Sequence, residues 1–176
     1  MQDVFIRSVT EDDLMAVWRI YSDQQICLMC GAKPANSIVD AAAILDIMIK
    51  NGGNFAIVLK ETMSVIGIIS VRRDIHRYNK KAYMLGYLLE KSYWGRGFMP
   101  QAVKLMTEYT FNYLGADLIS ATHFKDNLQS KRVLEKCGFQ YEGTLRREYV
   151  RWDGSVLDSC VYSLLWEEHN NKGEKV

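Results

Sequence analysis

Trp94-Gly95-Arg96-Gly97-Phe98-Met99-Pro100 separates an apolar run, Ala82 to Glu90, from a stretch with helical spacing, Met99 to Leu114. The run carries Met84, Leu85, Tyr87, Leu88 and Leu89 and reads as a strand; the stretch places Ala102, Val103, Met106, Tyr109 and Thr110 on helical repeats. Two glycines let the backbone turn tightly enough for successive N–H groups to face one anion, and a helix N-terminus adds its positive dipole end. Pro100 fits the first helical turn, where its missing N–H costs nothing. By itself this pattern fits a phosphate site and a simple connecting turn equally well.

Working outward, Val4 to Val9 reads as a strand, and Thr10 as the N-cap of a helix with Glu11, Asp12 and Asp13 in its first turn. Leu14, Val17, Trp18 and Tyr21 form its apolar stripe. After a loop, Gly31 to Asn36, Ser37 caps a second helix carrying Ile38, Ala42, Leu45 and Ile49, which Asn51-Gly52-Gly53 ends. Phe55 to Lys60 and Val65 to Arg73 read as a hairpin, followed by a polar loop from Arg72 to Lys81. Leu118 to Phe124 reads as a strand, Asn127 to Lys136 as a helix stopped by Gly138, and Phe139 to Arg147 as another strand. Tyr149 to Trp166, broken at Asp153-Gly154, closes the chain as a hairpin. This order is not a plain alternating doubly wound sheet. No third glycine completes a dinucleotide fingerprint, and no Gly-Lys-Ser/Thr ending makes a Walker loop.

The chain has 176 residues, 48% of them hydrophobic, enough for one good core in a single domain. A formal charge of +1 excludes the strong basic excess of a dedicated nucleic-acid binder. The start lacks the basic and apolar segments of a signal peptide, and no apolar stretch approaches a membrane span, so a cytoplasmic protein is expected. Cys27 and Cys30 form a lone C-x-x-C pair without the second pair of a zinc site. They read as a reduced, partly buried pair, with a redox role as the alternative. His76, His123 and His169 show no metal-ligand spacing, and His123 reads as structural.

Three spaced motifs carry a family resemblance. The strand ending at Leu89-Glu90 with its Tyr93-to-Met99 turn, and the later Asn127-x-x-Ser130-x-Arg132-Val133-Leu134-Glu135-Lys136-Cys137-Gly138-Phe139, resemble the GNAT acetyltransferases. With Glu142-Gly143-x-Leu145-Arg146, Asp153-Gly154, Asp158 and Tyr162-Ser163-Leu164-Leu165, the chain is similar to the Rim branch, which acetylates ribosomal-protein N-termini. The resemblance implies an α+β, GNAT-like acyl-CoA N-acyltransferase fold: a central mixed, mostly antiparallel sheet of about seven strands flanked by helices on both faces. It implies one domain over residues 1–168 and a polar C-terminal tail over 169–176. It also implies acetyl-CoA as acyl donor without a metal, and an amine acceptor, above all a peptide or protein N-terminus. Polyamines, amino acids and aminoglycosides are the small-molecule alternative, and a non-catalytic acyl-CoA sensor the alternative of another class. No membrane or nucleic-acid partner is implied, and a homodimer is compatible.

Carried onto this chain, the resemblance assigns donor binding to Leu88, Leu89, Trp94, Gly95, Arg96, Gly97, Phe98, Met99 and Asn127. Trp94 and Met99 depart from the wider family's Gln or Arg and Gly or Ala; a Met side chain pointing away leaves a backbone-built anion site intact. Many members place a Tyr near the end of the later helix to serve the leaving thiolate, whereas this chain has Leu134. In the Rim branch the Ser of the N-x-x-S motif is the usual candidate, so the resemblance gives that role to Ser130. A serine hydroxyl is too weak an acid to deliver a full proton to a thiol whose pKa is about 8.5, so it acts as a hydrogen-bond donor to developing thiolate. For the amine's proton, Glu148 is the candidate base favoured by the resemblance and Glu90 the alternative, with a backbone N–H near Leu89 polarising the thioester oxygen. An α-amine with pKa about 7.7–8.0 is roughly a tenth neutral at pH 7, against about four parts in ten thousand for lysine, so a weak base or a water chain suffices at an N-terminus. Trp18, Tyr21 and Trp152 could line the acceptor groove, although a Trp at helical spacing is more often core, and Arg96 and Lys131 could reach phosphates, with a solvated lysine the favoured reading of Lys131.

Overall fold

The computed structural model describes residues 3–170. Seven strands form one sheet in the order β1 (Val4–Ser8), β2 (Asn54–Leu59), β3 (Ser64–Arg73), β4 (Ala82–Leu89), β5 (Leu118–Phe124), β7 (Val156–Leu165) and β6 (Gln140–Val150). All neighbouring pairs are antiparallel except β4 and β5. Helices α1 (Leu14–Tyr21), α2 (Gln24–Cys30) and α3 (Ile38–Asn51) cover one face; α4 (Phe98–Asn112) and α5 (Leu128–Cys137) cover the other, and α6 (Trp166–Asn170) ends the described chain. This is the α+β architecture expected from the resemblance.

Strand alternation divides the core between the two faces. Ile57 and Leu59 of β2, Leu85 and Leu89 of β4 and Ile119 and Ala121 of β5 pack with Ala102, Val103 and Met106 of α4 and Leu134 of α5. Ala56 and Val58 of β2 and Ile68 of β3 instead meet Val17 and Ile20 of α1, Ile26 of α2 and Ala41 and Leu45 of α3.

Helix caps match the sequence reading at Ser37, whose hydroxyl accepts from Asp40 N, and at Gly138, in the left-handed region. Three differences have physical reasons. The turn after Thr10 is a short 3₁₀ segment, and Asp13 does not face solvent as a dipole partner: it is buried and holds the Arg7 guanidinium at 2.7 and 2.8 Å. Helix α2 was not expected; Asp23 caps it by accepting from Gln25 N and Ile26 N, and Gly31 ends it at φ +83°. The expected separate strands from Phe139 and from Tyr149 are one strand, β6, continuous through a bulge at which Arg147 takes φ +54°. The turn thus lies between Val150 and Val156, and Trp166 begins α6 rather than closing a strand. In α6 the His169 ring lies 5.1 Å from that of Phe111; the remainder of the expected tail lies outside the described residues. Among the described residues, no helix is long and apolar enough to cross a membrane.

Candidate active site

The parallel pairing of β4 with β5 ends at Leu85–Ala121. Beyond it β4 runs on to Leu89 beside β3, while β5 stays with β7 out to Phe124. The two strands part, and a cavity of about 1000 Å³ passes through the gap. The gap leaves backbone groups of β4 unpaired. Glu90 N donates to Ile66 O at 2.8 Å, which fixes the alternation: Gly86 and Leu88 turn their N–H groups toward β3, and Tyr87 and Leu89 turn theirs into the gap. The Leu89 carbonyl accepts from Trp94 Nε1 at 2.8 Å, leaving the Leu89 N–H as the free group at this point.

On the α4–α5 side, Gly95 and Gly97 have φ of +72° and +83°, and a Cβ at either would meet open space. Glycine is therefore required by backbone conformation rather than by packing. Gly97 is the N-cap of α4, so the first-turn N–H groups, which have no intrahelical acceptors, face the cavity mouth together with the turn. Met99 is buried in the core, as a side chain pointing away from an anion must be. The Arg96 guanidinium lies 4.9 Å from the Phe98 ring and 5.6 Å from that of Tyr93, and its side chain does not line the cavity. Lys131 is 3.8 Å from Glu135 on its own helix and is also absent from the lining; Arg132 and Lys136 supply the positive charge there.

Asn127 caps α5 by accepting from Ser130 N at 3.0 Å, while its Nδ2 donates to Met29 O of α2 at 3.1 Å. Ser130 thereby stands in the first turn of α5, and its Oγ lies 2.7 Å from the hydroxyl of Tyr87 on β4. Burial pushes the pKa of Tyr87 above the ordinary tyrosine value, against the opposing hydrogen bond with Ser130. Leu134 is fully buried in the core, far from any hydroxyl role.

On the α1–α2 side the lining is polar. Glu148 accepts from Ser159 Oγ at 2.7 Å, and the bulge between Leu145 and Tyr149 sets the stretch of β6 that carries it. Asp74, buried, accepts from Ser120 Oγ at 2.5 Å and from Arg77 Nε at 3.2 Å; Arg77 also pairs with Glu142, which accepts from Ser163 Oγ at 2.7 Å. Helix α2 closes this side. Its C-terminal carbonyls are held from afar: Leu28 O by Arg151 at 3.1 Å, Met29 O by Asn127, and Gly31 O by the Tyr149 hydroxyl at 3.1 Å.

Several expected residues are elsewhere. Glu90 is ion-paired with Arg19 and does not line the cavity. Trp18 and Tyr21 pack against the α1–α3 core, and Trp152 is partly exposed away from the lining. His123 is buried, its Nδ1 2.8 Å from Phe124 O and its ring 5.4 Å from that of Tyr162, as a structural histidine would be, although it borders the cavity and its Nε2 has no hydrogen-bond partner among the described residues. Burial raises the pKa of both thiols of the C-x-x-C pair, that of Cys27 to about 12, so neither is a ready thiolate. Among the described residues no cluster of His, Cys, Asp or Glu is arranged to hold a metal ion.

Tyr87, Asp74, Arg77 and α2 are the parts missed from sequence. Tyr87 was findable, because strand alternation puts it on the same face as Leu85 and Leu89, toward α5; so was α2, from its Asp23 cap and Gly31 stop.

A strand-splayed gap opening on a glycine turn at a helix N-terminus defines a site for an acyl carrier with a phosphate-bearing tail. Residues 3–140 match the acetyltransferase (GNAT) domain, and the chain belongs to that family. The protein is an acetyl-CoA-dependent N-acetyltransferase. It is 28% identical over 167 residues to the uncharacterized N-acetyltransferase YoaA of Bacillus subtilis, covering 92% of this chain and 93% of the relative. It is 31% identical over 112 residues to the putative ribosomal N-acetyltransferase YdaF of the same organism, covering 64% and 58%. Among solved structures, the spermidine N-acetyltransferase of Vibrio cholerae in complex with CoA and spermine superposes with a TM-score of 0.82 at 18% identity, over 97% of this chain and all (100%) of that one.

Proposed function

We propose that the protein acetylates the α-amino group of a peptide or protein N-terminus, by direct attack of the amine on acetyl-CoA in a ternary complex. The observation that carries the acceptor class is the charge balance of the α1–α2 side. Asp74 and Glu142 are both engaged by Arg77, leaving Glu148 as the lining carboxylate there without a cationic partner among the described residues. One free carboxylate balances one ammonium. A polyamine, with several charges to neutralise, finds too few partners. The similarity to a relative named as a ribosomal N-acetyltransferase points the same way.

In this reading the turn from Trp94 to Met99, with Arg132 and Lys136, holds the phosphates of acetyl-CoA, and Leu88, Leu89 and Asn127 border the pantetheine arm. Glu148 takes the proton that the amine loses. The amine nitrogen attacks the thioester carbon while the Leu89 N–H polarises its oxygen, and the C–S bond breaks with its electron pair going to sulfur near Ser130. A second reading rests on Arg72, which also lines the cleft with no carboxylate partner among the described residues and fits the carboxylate of a free amino acid.

A thiol-release assay with acetyl-CoA tests both, using peptides beginning Ala, Ser or Met beside free amino acids, spermidine and an aminoglycoside. Turnover on peptides is expected. Turnover confined to a small amine overturns the acceptor, and tight acetyl-CoA binding without any turnover points to a sensor.

A further inference from the structure

Leu134, on the same helix as Ser130, is buried in the core and offers the Ser130 side chain no hydroxyl. A phenol nevertheless reaches it from the opposite wall of the gap. Tyr87 is held by β4, with Gly86 and Leu88 on either side paired to β3, so its ring is placed by the sheet and not by α5. Its hydroxyl lies 2.7 Å from Ser130 Oγ and 3.3 Å from the Ser130 carbonyl. The shorter distance is the optimum for O–H···O, and the longer is beyond it. Either hydroxyl can donate in the shorter contact, and the phenol also reaches the Ser130 carbonyl; when the phenol donates to Ser130 Oγ, the Ser130 hydroxyl proton is free to point elsewhere.

We propose that Tyr87 is a positioning residue for the donor half of the reaction: by donating to Ser130 Oγ it orients the Ser130 O–H toward the departing sulfur and strengthens it as a donor. A hydroxyl that accepts one hydrogen bond is polarised into a better donor of the next. No proton need leave Tyr87 or Ser130. The amine's proton goes to Glu148, the thiolate leaves with the C–S electron pair, and the hydroxyl chain stabilises that charge until solvent protonates the thiol. Burial keeps the Tyr87 phenol protonated against the opposing hydrogen bond with Ser130, so its proton is available to donate.

The inference rests on the role proposed for Ser130, but not on the acceptor, because the sulfur side is the same whichever amine is used. The test is a double-mutant cycle with Tyr87→Phe, which keeps the ring, Ser130→Ala, and both together, measuring kcat and KM on an alanine-starting peptide and on spermidine, and acetyl-CoA affinity by calorimetry. Tyr87→Phe is expected to lower kcat about tenfold with acetyl-CoA affinity within about twofold of wild type, and the double variant to be no slower than Ser130→Ala alone. If Tyr87→Phe slows the Ser130→Ala enzyme as much as it slows wild type, or weakens acetyl-CoA binding with kcat unchanged, the phenol acts by packing and the inference fails. If Ser130→Ala is silent while Tyr87→Phe slows turnover, the role of Ser130 itself is overturned.

Discussion

The two mouths of the gap between β4 and β5 are built in opposite ways. On the α4–α5 side, the turn from Trp94 to Pro100 and the first turn of α5 are short contiguous segments, and their defining geometry is local: two glycines with positive φ and an Asn cap. On the α1–α2 side, Glu148, Ser159, Asp74, Arg77 and the end of α2 come from separate elements, joined by bonds such as Tyr149 to Gly31 that span 118 residues. The donor side can be written as a motif and reused, whereas the acceptor side is made by the packing of the whole chain. Every enzyme of this kind must bind the same donor, and local motifs suffice for that. Acceptors differ, and the distributed side is where they can differ.

Ser130→Ala tests the donor side and should have the largest effect, a fall in kcat of roughly tenfold to a thousandfold, the range for one lost transition-state donor. The loss should be equal for every acceptor; an effect that changes with the amine would break the separation of the two sides. Glu148→Gln should lower kcat about ten- to a hundredfold at neutral pH, as for loss of a general base. This loss should shrink as pH rises through the α-amine pKa of about 7.7–8.0, because the amine then arrives neutral. A pH-independent loss would assign Glu148 a different role.

Gly31→Ala sharpens the contrast through α2. At φ +83° a side chain is strained, and its Cβ would come 2.8 Å from the Tyr149 ring, so a destabilisation of about 1–3 kcal/mol is expected in thermal or denaturant unfolding. KM for the amine should rise while acetyl-CoA affinity changes little; equal damage to both would show that α2 supports the donor side through Asn127. The smallest effect belongs to Asp13→Asn, remote from both mouths. Burial alone would raise the pKa of Asp13, but its bonds to Arg7 and the Thr10 N–H, with the Arg7 charge, outweigh that and hold it below the usual carboxylate value. The stabilisation from this depressed pKa is present above the unfolded value of about 3.9 and is lost as pH falls through the folded one. With Arg7 partly exposed, Asp13→Asn should cost about 1–2 kcal/mol at pH 7 and less toward pH 3, with kcat unchanged.

The same division explains what could be read in the chain. Strands β1 to β5, helices α3, α4 and α5 and the caps at Ser37, Asn127 and Gly138 follow from periodicity and cap chemistry, which are properties of neighbours in sequence. Residue type alone carries no direction for Glu90, Trp18 and Lys131, and the structure chooses among their alternatives: Glu90 turns to Arg19, Trp18 to the α1–α3 core, and Lys131 to Glu135. Arg132, one residue further along the same helix, lines the cavity instead.

Sequence alone determined the glycine turn, its place between a strand and a helix, and the Asn127–Ser130 start of α5, because φ, capping and hydrophobic spacing act over a few residues. Only the tertiary structure decided that β4 parts from β5 after Leu85, that Tyr87 meets Ser130 across the gap, and that Arg77 engages two of the three carboxylates on the acceptor side. Those depend on strand register and on contacts between elements far apart in the chain, where a shift of one residue turns a side chain to the other face of the sheet.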